Sequence, residues 1–509
     1  MRTQTRLEVL ASIRMGRVRF VLVSLALMLA ACTGTDRVDE YVPVTTGSST
    51  TQPAGDGPRI DWESCGEGID CGTLKVPYDY DNPGIGQFTL RLTRHNATDE
   101  DARIGSLLVN PGGPGSEGQF LAQMAEQIYG SELLERFDII GWDPRGTGES
   151  TPFIDCVDQY DSDPPVDVTP DTPAEKQALI ADAQSFVDAC ERNSGEILPY
   201  VSTIASATDM DTIRRALGEE KISYFGFSYG SELGATWATM FPSTVRAAVL
   251  DGAAAVNQSR LEDSLTQIKG FEQTFQTFLD QCSDDPSCAF HNNGDAAGAY
   301  DRLVREVDAN PVFVTSGRTP VTQGILETAV AQAMYDELTW NTLERALNDL
   351  QNGDGAGILQ LNDDYFQRAP DGTYPNLLEA FMSIICLDDP GETSIEAVDA
   401  HADLYKEVAP RLGPGSAHSY ACALWPVRGP GRIEITGKGA GPIIVIGTTG
   451  DPATPLAASQ VTADALEKGR LVTVVANQHT GYNVNECVND TVHEYLVDLV
   501  VPEEGLRCK

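Results

Sequence analysis

Short apolar runs bounded by glycine, proline and asparagine alternate along the chain with longer stretches of helical period, and that alternation sets the expected architecture. Residues 72–77 and 87–94 alternate polar and apolar positions, as antiparallel strands near a sheet edge do. Residues 106–110, 137–140, 222–225, 246–250, 442–447 and 471–475 are mostly apolar runs, the pattern of strands covered on both faces. Helical periods fill 173–191 and 206–217 among these strands, and 492–500 after the last. Between about 253 and 430 no comparable strand stands out; helical patterns at 265–281, 294–309 and 322–350 take its place. Eight strands with helices between the later ones predict an α/β fold with a helical cap inserted after the sixth strand. The expected divisions are a first core part at 59–252, the cap at 253–430 and a second core part at 431–509.

The amino-terminal stretch follows other rules. Arg2, Arg6, Arg14, Arg17 and Arg19 precede a largely apolar run at 20–31, too short for a bilayer span but suited to a signal peptide. The run ends in Leu29-Ala30-Ala31-Cys32, which resembles a bacterial lipobox and implies cleavage before Cys32 and lipidation of its thiol. Several acyl chains on that residue would anchor the protein firmly to a membrane. Residues 32–58 are rich in Thr, Ser, Gly and Pro without apolar period, the composition of a flexible tether.

Composition then narrows the function. The chain carries 75 Asp and Glu against 35 Lys and Arg, a formal net charge of −40 that repels phosphate backbones and argues against nucleic-acid binding. Of the 11 cysteines, setting aside Cys32 leaves an even number, as expected for disulfides in an exported protein. Nearest-neighbour pairing is the expectation: Cys65 with Cys71, Cys156 with Cys190, Cys282 with Cys288, Cys386 with Cys422, and Cys487 with Cys508. Cys282, Cys288 and His291 could be read as a zinc set, but there is no CxxC spacing, so neither a metal nor an organic cofactor is expected.

The chemistry centres on Gly226-Phe227-Ser228-Tyr229-Gly230, which sits between an apolar run and a helical segment rich in small residues. A strand, a sharp turn and a helix around Gly-x-Ser-x-Gly form a nucleophile elbow, in which a strained turn lifts the serine hydroxyl clear of the backbone. Such a serine needs a base, an orienting acid and oxyanion donors, with acid and base following it in that order. Of the 6 histidines, only His479 lies in a loop directly after the last predicted strand. Asp451, after the preceding strand, is the favoured acid, and Asp251 is its rival. Asp143 reads as a structural loop residue paired with Arg145. The oxyanion donors expected are the Tyr229 N–H and one from the glycine-rich turn at Gly112 or Gly113.

Taken together, Asn110-Pro111-Gly112-Gly113-Pro114-Gly115, Asp143-Pro144-Arg145-Gly146, the elbow, Cys386-Leu387-Asp388, Asp451-Pro452-Ala453-Thr454-Pro455 and Gln478-His479-Thr480 resemble one family. It is the tripeptidyl aminopeptidase branch of the proline-iminopeptidase-like α/β-hydrolases, and the chain is most similar to the lipoprotein serine proteases of the mycobacterial envelope. The resemblance implies a Ser228–Asp451–His479 triad and a peptidase trimming short peptides from free amino termini, with Thr454 supporting the acid. It departs at Asn110-Pro111, where many iminopeptidases have His. An aminopeptidase must also hold an ammonium, for which Asp388 is a candidate, although an ordinary surface acid is the preferred reading of that residue. An envelope esterase or lipase would use the same machinery, and a non-catalytic binding lipoprotein on the same scaffold is the third reading.

Overall fold

The computed structural model describes residues 57–162 and 164–509. The expected leader at 1–31, Cys32 and nearly all of the tether lie outside them. Residues 58–509 form one compact unit.

Its centre is a ten-stranded sheet in the order β1-β2-β3-β5-β4-β6-β7-β8-β9-β10. The strands are β1 (Asp61–Gly66), β2 (Ile69–Pro77), β3 (Gln87–His95), β4 (Gly105–Asn110), β5 (Phe137–Trp142), β6 (Ile222–Phe227), β7 (Val245–Asp251), β8 (Ile443–Thr448), β9 (Gly469–Val474) and β10 (Arg507–Cys508). From β1 to β5 neighbouring pairs are antiparallel; from β5 across to β10 every pair is parallel. Side-chain patterns follow from that division. β5 and β8 are buried at every position, because helices cover both faces of a parallel sheet, whereas β2 and β3 alternate.

The expected eight strands become ten, and the insertion therefore follows the seventh strand. β1 was missed because it is polar and mostly exposed; a tight hairpin closed by the Cys65–Cys71 disulfide holds it. β10 is two residues long and is pinned beside β9 by Cys487–Cys508. The other three disulfides are Cys156–Cys190, Cys282–Cys288 and Cys386–Cys422, the pairs nearest-neighbour logic gives. The joined sulfurs of Cys282 and Cys288 leave no thiolate for the zinc set considered with His291.

Between β7 and β8 the chain is helical from Arg260 to Leu424, but the stretch divides in two. Helices Arg260–Asp284, Ala296–Ala309, Gln323–Met334 and Trp340–Gln351 build a separate apolar cluster around Phe275, Tyr300, Val330 and Leu347. Helix Leu377–Asp388 instead contributes Ala380, Ile384 and Leu387 to the main core beneath the sheet. A second correction concerns Arg145, which pairs with Asp209 (2.8 and 2.6 Å) and not with Asp143. Both partners are fully buried, and the guanidinium also donates to the carbonyls of Tyr78 and Tyr200. Asp143 is occupied elsewhere, accepting from the backbone N–H groups of Gly118, Gln119 and Glu149.

Candidate active site

β6 delivers Ser228 at the carboxyl edge of the parallel sheet, where ligand sites of such sheets form. Ser228 has φ +54°, in the left-handed region that costs an L-residue roughly 1–2 kcal/mol. Two backbone bonds hold it there: its N–H donates to Asp251 O (2.8 Å), and its carbonyl accepts from Ser231 N–H (2.8 Å) as helix Gly230–Met240 begins. The turn is tight enough that a Cβ on Gly226 would lie 2.4 Å from Gly230 O, so only glycine fits.

Asp451 and His479 come from the loops after β8 and β9. His479 Nδ1 lies 2.9 and 3.0 Å from the two Asp451 oxygens. The same carboxylate accepts from the N–H groups of Ala453, Thr454 and Thr480 and from the Thr454 hydroxyl (3.0 Å). A carboxylate so placed requires the proton on Nδ1, which leaves Nε2 as a bare acceptor. Nε2 is buried and has no partner among the described residues.

Asp251, the rival acid, has a different job. Its carboxylate accepts from Gly481 N–H (2.7 Å) and Tyr482 N–H (2.8 Å), just beyond the histidine. Its carbonyl takes the Ser228 N–H, so one buried residue ties the elbow to the histidine loop. Burial pushes its carboxyl up to about 7, against those two N–H bonds.

For His479, burial works against the charged form, but the charge and hydrogen bond of Asp451, with Asp251 behind them, outweigh it and raise the pKa above 6.5. Protonated imidazole cannot accept a serine proton. The acid limb of a kcat/KM profile is therefore expected above the ordinary histidine value, with activity lost as pH falls through it; a limb at or below 6.5 would contradict this.

The oxyanion candidates separate cleanly. Gly112 N–H is taken by Asn110 Oδ1 (3.0 Å). Gly113 is exposed, and neither its N–H nor that of Tyr229 makes an intramolecular bond among the described residues. Gly112 still matters sterically: at φ +100°, a Cβ there would sit 2.8 Å from Ser228 Cβ and 2.6 Å from Phe227 O. Gly112→Ala is expected to lower kcat by about a hundredfold or more through displacement of the elbow, measured by steady-state turnover.

Asp388 is not a surface acid, as its preferred reading had it. It is 3% exposed and accepts from Thr203 N–H (2.9 Å) and the Thr203 hydroxyl (2.5 Å). Thr203 Oγ1 is also hydrogen-bonded to the Tyr229 hydroxyl, so a short chain links this carboxylate to the residue beside Ser228. Burial raises the Asp388 pKa to about 6. Asp388 lines a cavity of about 570 Å³ with Glu232, Thr236, Asp389 and Arg432. In its wall, Arg432 Nε lies 2.8 Å from Glu232 Oε1. Thr203 and Asp251's strut role were not legible locally, because each acts across tens or hundreds of residues.

An elbow serine, an imidazole on a buried carboxylate and free N–H donors at the edge of a parallel sheet define a serine hydrolase. Residues 105–485 match the model of the α/β hydrolase fold, and the chain belongs to that family. Its relatives extend over nearly the whole length. Serine protease Hip1 of Mycobacterium tuberculosis is 32% identical, covering 97% of this chain and 98% of its own. Carboxylesterase B of M. tuberculosis is 36% identical, covering 89% and 90%. Tripeptidyl aminopeptidase of Streptomyces coelicolor is 30% identical, covering 88% and 86%.

Proposed function

We propose that this protein is an exported, membrane-anchored serine peptidase that releases short peptides from free amino termini through an acyl-enzyme on Ser228. The observation carrying the reading is the Asp451-bound His479 with a bare Nε2, on a loop tied through Asp251 to the elbow. Ser228 Oγ attacks the scissile carbonyl while Nε2 takes its proton, and Asp451 stabilises the imidazolium, with Thr454 fixing the carboxylate. The N–H groups of Tyr229 and Gly113 receive the developing oxyanion. The imidazolium returns the proton to the leaving amine, and a water repeats the sequence to free the acyl group.

The relatives named as a serine protease and a tripeptidyl aminopeptidase support a peptide substrate. In the cavity wall Asp388, Asp389, Glu232 and Glu434 outnumber Arg432, which is paired with Glu232, and the remaining acidic charge suits an ammonium, with Asp388 as the candidate anchor. Export and anchoring rest on the leader, the cysteine expected to carry lipid and the disulfide framework. The relative named carboxylesterase B favours a second reading, an envelope esterase.

The test compares the protein with Ser228→Ala on a tripeptidyl amide with a free amino terminus, the same amide acetylated, and a short-chain ester. Serine-dependent cleavage of the free-amine peptide alone supports the proposal. Equal rates on both peptides would remove the ammonium role from Asp388, and ester cleavage without peptide cleavage would establish the esterase. Absence of Ser228-dependent turnover on all three would favour the binding-lipoprotein reading.

A further inference from the structure

The residues nearest the His479 ring include one from the inserted helices. Helix Gln323–Met334 ends at Tyr335, and its neighbour Asp336 forms an isolated antiparallel bridge with Gln478. Across that bridge, His479 N–H donates to Tyr335 O (2.9 Å). The Tyr335 ring meets the imidazole edge-on, with centroids 5.3 Å apart and planes at 84°. On the other side of the bridge, Asn477 Nδ2 donates to Glu337 Oε2 (3.3 Å). Three consecutive residues of the histidine loop are thus each joined to the segment 335–337.

That segment is itself held rigidly. Phe271 packs on the Tyr335 ring at 5.6 Å, and Ala333 and Met334 anchor the preceding turn in the insertion's own apolar cluster. Thr339 Oγ1 caps the corner by donating to Ala333 O and Asp336 O, both at 2.6 Å, and Asp336 Oδ1 accepts from Leu338 N–H. Tyr335 O is one of the carbonyls a helix end leaves without an internal partner, and it lies at the negative pole of the helix dipole. A bond from the histidine's own backbone satisfies it.

We propose that Tyr335 is a positioning residue for the general base. Its carbonyl fixes the His479 backbone and its ring edge fixes the imidazole plane, so the inserted helices complete the catalytic machinery as well as covering it. Asp451 constrains only Nδ1 of the ring; the Tyr335 contacts set the rotation about that bond, which decides where Nε2 points. This inference rests on the assignment of His479 as base, and not on which acyl group is cleaved.

The experiment therefore avoids the natural substrate. In the full chain, the rate of Ser228 labelling by a small fluorophosphonate reports base activation, and the low-field proton resonance of the Nδ1–H···Asp451 bond reports imidazole placement. Tyr335→Ala is expected to slow labelling about ten- to a hundredfold, in line with the cost of small misplacements at a reacting centre, and to shift or broaden the resonance. Tyr335→Phe keeps ring and carbonyl and is expected to match the parent in both. Tyr335→Leu, which leaves a smaller void than alanine, replaces the alanine variant if that one fails to fold, with the same expectation. Slow deuterium exchange at the His479 amide in the unaltered protein is the accompanying result. Parent-like labelling with an unchanged resonance in the alanine or leucine variant, or rapid exchange at His479, would overturn the proposal. Absence of labelling in the unaltered protein would instead overturn the triad.

Discussion

Ser228→Ala is expected to reduce turnover by about a million-fold, leaving only the residual rate that oxyanion donors and binding supply. Its size follows from the geometry: Ser228 alone among the non-glycine elbow residues holds the positive-φ position that lifts a side chain clear of the backbone, whereas the hydroxyls of Tyr229 and Ser231 are bonded to Thr203 and Ala254. The variant should fold normally, because alanine keeps the Cβ and the N–H bond to Asp251. Steady-state kinetics with matched thermal melts check it. A loss of only a few-fold would mean that Ser228 is not the nucleophile.

Asp451→Asn is expected to cost about ten-thousandfold in kcat with the fold intact. The N–H groups of Ala453 and Thr454 share Oδ1 while Thr480 N–H meets Oδ2, so an amide keeps its oxygen at the doubly bonded position and turns its NH2 toward His479 and the single Thr480 donor. Facing a donor, Nδ1 gives up its proton, the proton moves to Nε2, and the ring can no longer accept from serine. The same substitution removes the charge that raises the His479 pKa, so the acid limb of the profile is expected to move down. A pH series of kcat/KM on both proteins reads both effects. An unchanged limb would assign the acid elsewhere, with Asp251 the residue to test next.

Much of this was legible in the sequence, for identifiable reasons. The central parallel strands are nearly continuous apolar runs, and the elbow, acid and base each follow one, so local pattern placed them. β1 and β10 escaped because a polar edge strand and a two-residue strand carry no periodic signal; ladder bonds and disulfides hold them beside β2 and β9. The Arg145–Asp209 pair was out of reach because it joins residues 64 positions apart, while Asp143 lay two residues away.

The most instructive detail lies within 322–350, read as a helical stretch, which the structure divides in two. Its apolar period does continue, yet the chain leaves helical geometry at Asp336 (φ −148°, ψ 125°) before the next helix starts at Trp340. That break is where the insertion reaches His479. Asp336 was the visible clue, since it caps the following turn through Leu338 N–H, as aspartate does at helix starts. Local rules fail at sites where function imposes its own geometry, and this one fails at the base.

Acyl transfer in this protein runs through one activated serine at the elbow. The most direct test is to react the protein with a fluorophosphonate, digest it, and locate the adduct by mass spectrometry, beside His479→Ala treated identically. The expected outcome is a single phosphonylated residue, Ser228, and no labelling on that timescale without His479. An adduct on another residue, or equal labelling of Ser228 in the His479 variant, would contradict it.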